Sequence, residues 1–252
     1  MNIVEGIFLG FIQGITEFLP ISSSGHLVIA QNIMGLNPPG NMIEVATHLG
    51  TLISVIFIYK KDIVTIITDF IYSKNRKFVF FLIIGTIPSV IFGLGGKSII
   101  LTLFESTKLV SVCLIITGLV LLLSIRIGRS NSTFNLSNSF LIGLSQAFAI
   151  IPGISRSGMT ITLLLFFGFS PKESAKFSFL LSIPIIAGAG MLGIQDIQSS
   201  ELFSVDIIIA ALLSSFIIGV IALRVLIKLL ELGKFYIFGI YCICLGLGSI
   251  FI

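Results

Sequence analysis

The sequence predicts an all-α integral membrane protein with an inverted-topology repeat, each half a re-entrant helix hairpin followed by three transmembrane helices. Three observations predict it: a composition suited to lipid, an internal match between the two halves, and a one-sided distribution of basic residues. Of the 252 residues, 56% are hydrophobic and only 10% are charged, with a mean hydropathy of +1.15. A soluble domain carries roughly a quarter charged residues, so that class is excluded. Val110 to Ser124 and Ile207 to Leu223 contain no charge. A hydrocarbon core of roughly 30 Å requires about 20 apolar residues per crossing, and each span must be helical to satisfy its own backbone groups.

One fixed displacement of the chain against itself puts Gly10 on Gly143, Gln13 on Gln146, Ile21 on Ile154 and Ser22 on Ser155. It also puts Ser24 on Ser157, Gly25 on Gly158, Gly35 on Gly168 and Pro38 on Pro171. These matches are Gly, Pro and Ser rather than interchangeable aliphatics, which marks a true internal repeat. The chain therefore reads as a single membrane domain over 1–252, with repeat one about 1–130 and repeat two about 134–252.

In each copy a short apolar stretch runs into a break, Pro20 to Gly25 or Pro152 to Gly158. A second short stretch then ends at Gly35 or Gly168. Arms this short suit a hairpin that enters the membrane and leaves on the same side. The first hairpin starts with Glu5 and Glu17, then Pro20 and a serine run. It lacks the basic start and small-residue cleavage site of a signal peptide, and is expected to remain in the mature protein. Three crossings follow, roughly Met42–Tyr59, Phe78–Gly95 and Leu109–Ile125. After the second hairpin come Phe177–Gly193, Ile207–Leu226 and Phe235–Ile252. Three is odd, so the second hairpin enters from the opposite face and the repeat is inverted.

The charges check this parity. One face receives Lys60, Lys61, Lys74, Arg76, Lys77, Arg126, Arg129, Lys172, Lys176, Arg224, Lys228 and Lys234. The other receives Lys97 and Lys108 together with Glu5, Glu44, Glu105, Asp196, Glu201 and Asp206. The basic face is cytoplasmic, and basic residues confined to short loops report topology rather than nucleic-acid binding. Cys113, Cys242 and Cys244 lie in apolar spans and read as packing residues.

Ionisable groups within the membrane are costly and mark function. The two hairpins hold Glu17, His26 and Arg156. Gln13 and Glu17 are four apart and share a helix face. Arg156 offers a planar fork of donors that matches phosphate oxygens. Ser22, Ser23, Ser24, Ser155, Ser157 and Thr160 add hydroxyls, while Gly25 and Gly158 let helix-start N–H groups approach an anion. Glu17 suits a divalent cation or a role in setting the protonation of His26. His26 is either a nucleophile or the base that activates a serine or water. At equivalent positions Ser23 faces Arg156 and Glu17 faces Ile150. Neither half holds a complete phosphate site, so the two hairpins are expected to meet. His48 reads as structural or interfacial. A lipid-phosphate transporter or flippase would use the same arginine and serines and stays open at this point. An intramembrane protease fits poorly, because the second break lacks a Gly-x-Ser-x-Gly elbow.

The run from Gln13 through Glu17 and the Ile21-Ser-Ser-Ser-Gly-His26 segment resembles the first signature of the bacterial undecaprenyl-diphosphate phosphatases, the bacitracin-resistance family. Pro152-Gly-Ile-Ser-Arg156-Ser-Gly-Met-Thr160 resembles the second. The resemblance implies a phosphatase that converts the lipid diphosphate to its monophosphate and recycles the carrier for cell-wall synthesis. It implies Glu17 as the essential acid, His26 as the catalytic histidine, Ser23 as a candidate nucleophile and Arg156 as the phosphate-binding arginine. It also implies a weakly bound divalent cation, Mg²⁺ or Ca²⁺, at Glu17 and Gln13. Where the family pattern allows Glu or Gln, this chain has Gln13, a weaker metal ligand than a carboxylate. The implied partners are the polyprenyl diphosphate lipid and the bilayer, with room for a homodimer. The implied location is the bacterial cytoplasmic membrane, with the site facing the extracytoplasmic side.

Overall fold

Every regular element that the computed structural model describes is a helix, over residues 2–34, 42–72, 76–96, 102–103, 106–126, 132–196 and 204–250. Gly35 and Pro38 of the repeat lie outside the described residues, as do Lys74, Lys97, Glu105, Arg129 and Glu201 of the charge pattern, and Ile252 at the end of the last predicted crossing.

The first half runs α1 (Ile3–Phe18), α2 (Ser23–Met34), α3 (Met42–Ile58), α4 (Lys60–Ile71), α5 (Lys77–Gly95) and α6 (Thr107–Leu123). The second runs α7 (Leu136–Phe148), α8 (Arg156–Phe166), α9 (Pro171–Asp196), α10 (Val205–Glu231) and α11 (Ile237–Ser249). Both halves begin with the same device. The Asn2 side chain accepts the Glu5 N–H at 3.0 Å while Glu5 accepts the Asn2 N–H at 2.8 Å. Asn135 and Asn138 make the same reciprocal pair at 2.9 Å in each direction. Such a capping box satisfies two N–H groups that a helix start leaves unpaired. Asn2 and Asn135 are related by the same displacement as Gly10 and Gly143, so the repeat reaches the first residues of each half.

Packing follows the same correspondence. α1 lies along α10 and α7 along α5, while α3 packs on α9 and α6 on α11. At Gly10 an added Cβ would stand 2.4 Å from the Ala211 carbonyl oxygen, and at Gly143 it would stand 2.4 Å from that of Gly85. The matched glycines thus let two helix backbones touch at equivalent crossings, the small-residue packing of membrane helices. Gly10→Ala and Gly143→Ala are each expected to destabilise the protein by about 1–3 kcal/mol through overpacking. Gly248→Ala, where nothing lies within 4 Å, serves as the neutral control. Thermal unfolding in detergent checks this, and an unchanged midpoint for Gly143→Ala would refute the close approach.

α5, α9 and α10 are long and apolar enough to cross a bilayer alone. The predicted crossing Met42–Tyr59 reaches only Ile58; the chain then turns by 73° into α4, and only the bent pair together passes the same test. The predicted crossings, ending at Tyr59 and resuming at Phe78, leave residues 60–77 as a connecting loop. The structure instead folds 60–71 into an amphipathic helix, because Ile63 and Ile66 pack on the main core while Val64, Ile67, Phe70 and Ile71 stay exposed. The two remaining predicted crossings are shorter apolar helices, α6 of 17 residues and α11 of 13.

The side chains are sorted inside out. Ile91 and Phe80 on α5 are exposed while Thr51, Ser54, Ser182 and Ser215 are fully buried. Apolar residues face the hydrocarbon, and small polar residues fill the contacts between helices. Beneath the hairpins, Phe18, Tyr59, Phe179 and Leu223 form part of the largest core cluster.

Candidate active site

The two breaks are built alike. In the first, Ser22 Oγ accepts the Gly25 N–H at 3.3 Å and lies 3.2 Å from Ser24 Oγ. In the second, Ser155 Oγ accepts the Gly158 N–H at 3.1 Å and lies 3.3 Å from Ser157 Oγ. Ser22 and Ser155 are therefore helix caps, and their hydroxyls serve α2 and α8. Thr160 Oγ1 likewise pairs with Ser178 Oγ at 2.6 Å. Of the residues assigned to phosphate from sequence, Ser22, Ser24, Gly25, Ser155, Ser157, Gly158 and Thr160 thus make these structural contacts in the present arrangement. What the helix starts still offer are the first-turn amides of Ser23, Ser24, Arg156 and Ser157, which a helix leaves without an intrahelical acceptor.

The breaks also meet. A Cβ on Gly25 would lie 3.3 Å from Gly153 Cα. Gly153, at φ 92°, tucks against the Val110 carbonyl of α6, which would stand 2.4 Å from any added Cβ. Thr117 of α6 holds the second break from below: its hydroxyl donates to the Gly153 carbonyl at 3.0 Å and accepts the Ser155 N–H at 3.1 Å. Thr117 carried no sequence signal, because a lone threonine in an apolar span looks like any other.

Across this junction Arg156 Nη2 donates to Glu17 Oε1 at 2.5 Å. The other carboxylate oxygen, Oε2, accepts from Ser23 Oγ at 2.6 Å and from Gln13 Nε2 at 3.0 Å. One residue from the first half is thus paired with one from the second. Glu17 is 8% exposed and Gln13 fully buried, so the pair is held in a low dielectric where charge-assisted contacts are strong and unpaired groups costly. Within this cluster two buried atoms, Arg156 Nη1 and Gln13 Oε1, have no hydrogen-bond partner among the described residues. The first is a cationic donor left open, the second an acceptor left open.

His26 stands apart from this cluster. Its Nδ1 lies 2.8 Å from the Ser22 carbonyl oxygen, which can only accept, so Nδ1 carries the proton. Nε2 then holds a lone pair and accepts from the Tyr241 hydroxyl of α11 at 2.7 Å. Among the described residues no hydrogen bond joins His26 to Glu17 or Ser23. Glu17, expected from sequence to hold a divalent cation or to set the protonation of His26, accepts hydrogen bonds from Ser23, Gln13 and Arg156 in the structure. Ser22 adopts φ 67°, the left-handed region that a serine rarely enters, and such outliers gather at functional sites. His48, expected from sequence to be structural or interfacial, donates Nδ1–H to the Glu44 carbonyl at 2.9 Å.

Among the described residues no three His, Cys, Asp or Glu side chains gather as a metal site. The open Gln13 Oε1 beside the Glu17 carboxylate fits a cation that draws its other oxygens from a bound phosphate, as Mg²⁺ commonly does.

The chain matches the family described as bacitracin resistance protein BacA over residues 6–248. It is 39% identical over 253 residues to an undecaprenyl-diphosphatase of Halothermothrix orenii, covering 98% of this chain and 96% of that protein. An undecaprenyl-diphosphatase of Elusimicrobium minutum is 39% identical over 250 residues, again covering 98% and 96%. One from Desulfosudis oleivorans is 38% identical over 265 residues, covering 98% and 97%. With both signatures in place and the match running nearly end to end, the chain belongs to the bacitracin resistance protein BacA family.

Proposed function

We propose that this chain hydrolyses undecaprenyl diphosphate to undecaprenyl phosphate and inorganic phosphate, recycling a cell-wall lipid carrier and conferring bacitracin resistance. The observation that carries the reading is the buried, open Nη1 of Arg156 at a junction where two helix starts converge on the Glu17–Ser23 pair. Ser23 Oγ attacks the terminal phosphorus and passes its proton to Glu17 Oε2. The anhydride P–O bond breaks, and its electron pair leaves with the lipid monophosphate. Protonated Glu17 holds Arg156 less tightly, which frees the guanidinium for the transferred phosphoryl group. Water then attacks phosphorus and gives a proton to His26 Nε2, while the Ser23 oxygen leaves and recovers its proton from Glu17. His26 returns its proton to solvent. When a divalent cation is bound, Glu17 and Gln13 would hold it, and it would neutralise charge on the diphosphate.

His26 also borders a crevice of about 300 Å³ lined by Phe8, Phe11, Ile12, Ile15, Ile29 and Leu245. Such a surface suits an isoprenoid chain whose diphosphate reaches the polar junction. The same proposal includes six crossings, an inverted relation of the halves, and a site open to the extracytoplasmic side of the cytoplasmic membrane. Its support is the charge pattern, together with the Lys176–Asp62 ion pair that puts the basic start of α9 beside α4.

Purified protein is expected to release inorganic phosphate from a long-chain polyprenyl diphosphate in detergent, where no gradient exists. Absence of release would overturn the enzyme reading and favour transport.

A further inference from the structure

Tyr241 lies on α11, 215 residues from His26 in sequence, yet its hydroxyl is 2.7 Å from His26 Nε2. The two rings are nearly parallel, with an interplanar angle of 9° and centroids 5.7 Å apart. The next residue, the fully buried Cys242, donates its thiol to the Pro20 carbonyl at 3.6 Å. Adjacent residues of α11 therefore dock on both sides of the first break, at Pro20 and at His26. A neutral imidazole has two tautomers, and the one present is set by what each nitrogen meets. The Ser22 carbonyl demands a proton on Nδ1, and the Tyr241 hydroxyl demands a lone pair on Nε2.

From this geometry we infer that Tyr241 is a positioning residue: it holds His26 in the Nδ1–H tautomer, with the Nε2 lone pair aimed where the hydrolytic water must present its O–H. In the resting protein the Tyr241 hydroxyl occupies that place, and water takes it over once phosphoserine has formed. The kinetic side of this inference rests on the phosphatase reading; the hydrogen bond and tautomer do not.

Tyr241→Phe keeps the ring and removes the hydroxyl, whereas Tyr241→Leu removes both. Tyr241→Phe is expected to lower kcat about tenfold, the lower end of the loss seen when a partner that fixes the tautomer of a metal-bound histidine is removed, with KM nearly unchanged and thermal unfolding as in wild type. Tyr241→Leu should lose as much activity and no more. In ¹⁵N spectra, wild-type His26 should show a protonated Nδ1 and an unprotonated Nε2; in Tyr241→Phe the Nε2 signal should shift and some Nε2–H tautomer appear, because the Ser22 carbonyl alone then favours Nδ1–H. A Tyr241→Phe protein with wild-type kcat, or with an unchanged His26 spectrum, would overturn the inference, as would a loss carried by KM or confined to Tyr241→Leu. If wild type releases no phosphate, the functional reading fails instead, and the ¹⁵N comparison still tests the hydrogen bond.

Discussion

Glu17→Gln is expected to lower the rate of phosphate release by about 10³-fold, within the range for removal of a general base. The amide fills the same space but cannot take the Ser23 proton, which in the native protein is donated to Oε2 at 2.6 Å. The substitution also strands a buried guanidinium, because the Arg156 contact loses its counter-charge. Breaking a buried pair in this way costs about 3–5 kcal/mol. Stability and chemistry are therefore expected to fall together, and a second variant separates them. Glu17→Gln combined with Arg156→Met removes both charges and should recover much of the melting temperature while staying inactive. A Glu17→Gln protein that turns over at the wild-type rate would remove Glu17 from the mechanism.

Arg156→Lys is expected to reduce kcat/KM by about 10²-fold, the scale seen when one preorganised charged donor is lost from a transition-state site. Lysine keeps the charge but presents a point rather than a fork. It can answer Glu17 or the phosphoryl group, whereas Arg156 has Nη2 on Glu17 and Nη1 open. Protection of the protein against heat by added inorganic phosphate should weaken in step with activity. Full activity in Arg156→Lys would show that shape matching plays no part and that charge suffices.

The helix starts, the hairpin breaks and most spans were legible in the sequence because Pro, Ser and Gly at fixed separation leave few other conformations. The meeting of Glu17 with Arg156 was legible too, since the acid and the arginine sit in opposite copies of one repeat. The partner of His26 was not. Tyr241 belongs to a helix of ordinary apolar composition, and only tertiary packing brings it to the first hairpin. The bend into α4 was missed for a different reason. Its lysines and aspartates read as loop, while the apolar spacing of Ile63, Ile66, Ile67 and Phe70 was present but subordinate to them. The capping role of the serines was not legible, because a hydroxyl at a helix start looks the same whether it caps the helix or meets a ligand. In the structure Ser22 caps at Gly25 and Ser155 caps at Gly158.

The matched caps and glycines carry a consequence for ancestry. The frame of each half is the same, yet Glu17 stands where the other half has Ile150, and Arg156 stands where the first has Ser23. A single half that paired with itself would bring identical residues to its centre and could not set one acid against one arginine without placing both in every copy. Duplication within one gene lifts that constraint. Once the copies are covalently joined, each can lose what the other keeps, and one asymmetric catalytic centre can arise within a symmetric scaffold. Ile150 and Ser23 stand at the positions where a second, equivalent centre would need its own acid and arginine.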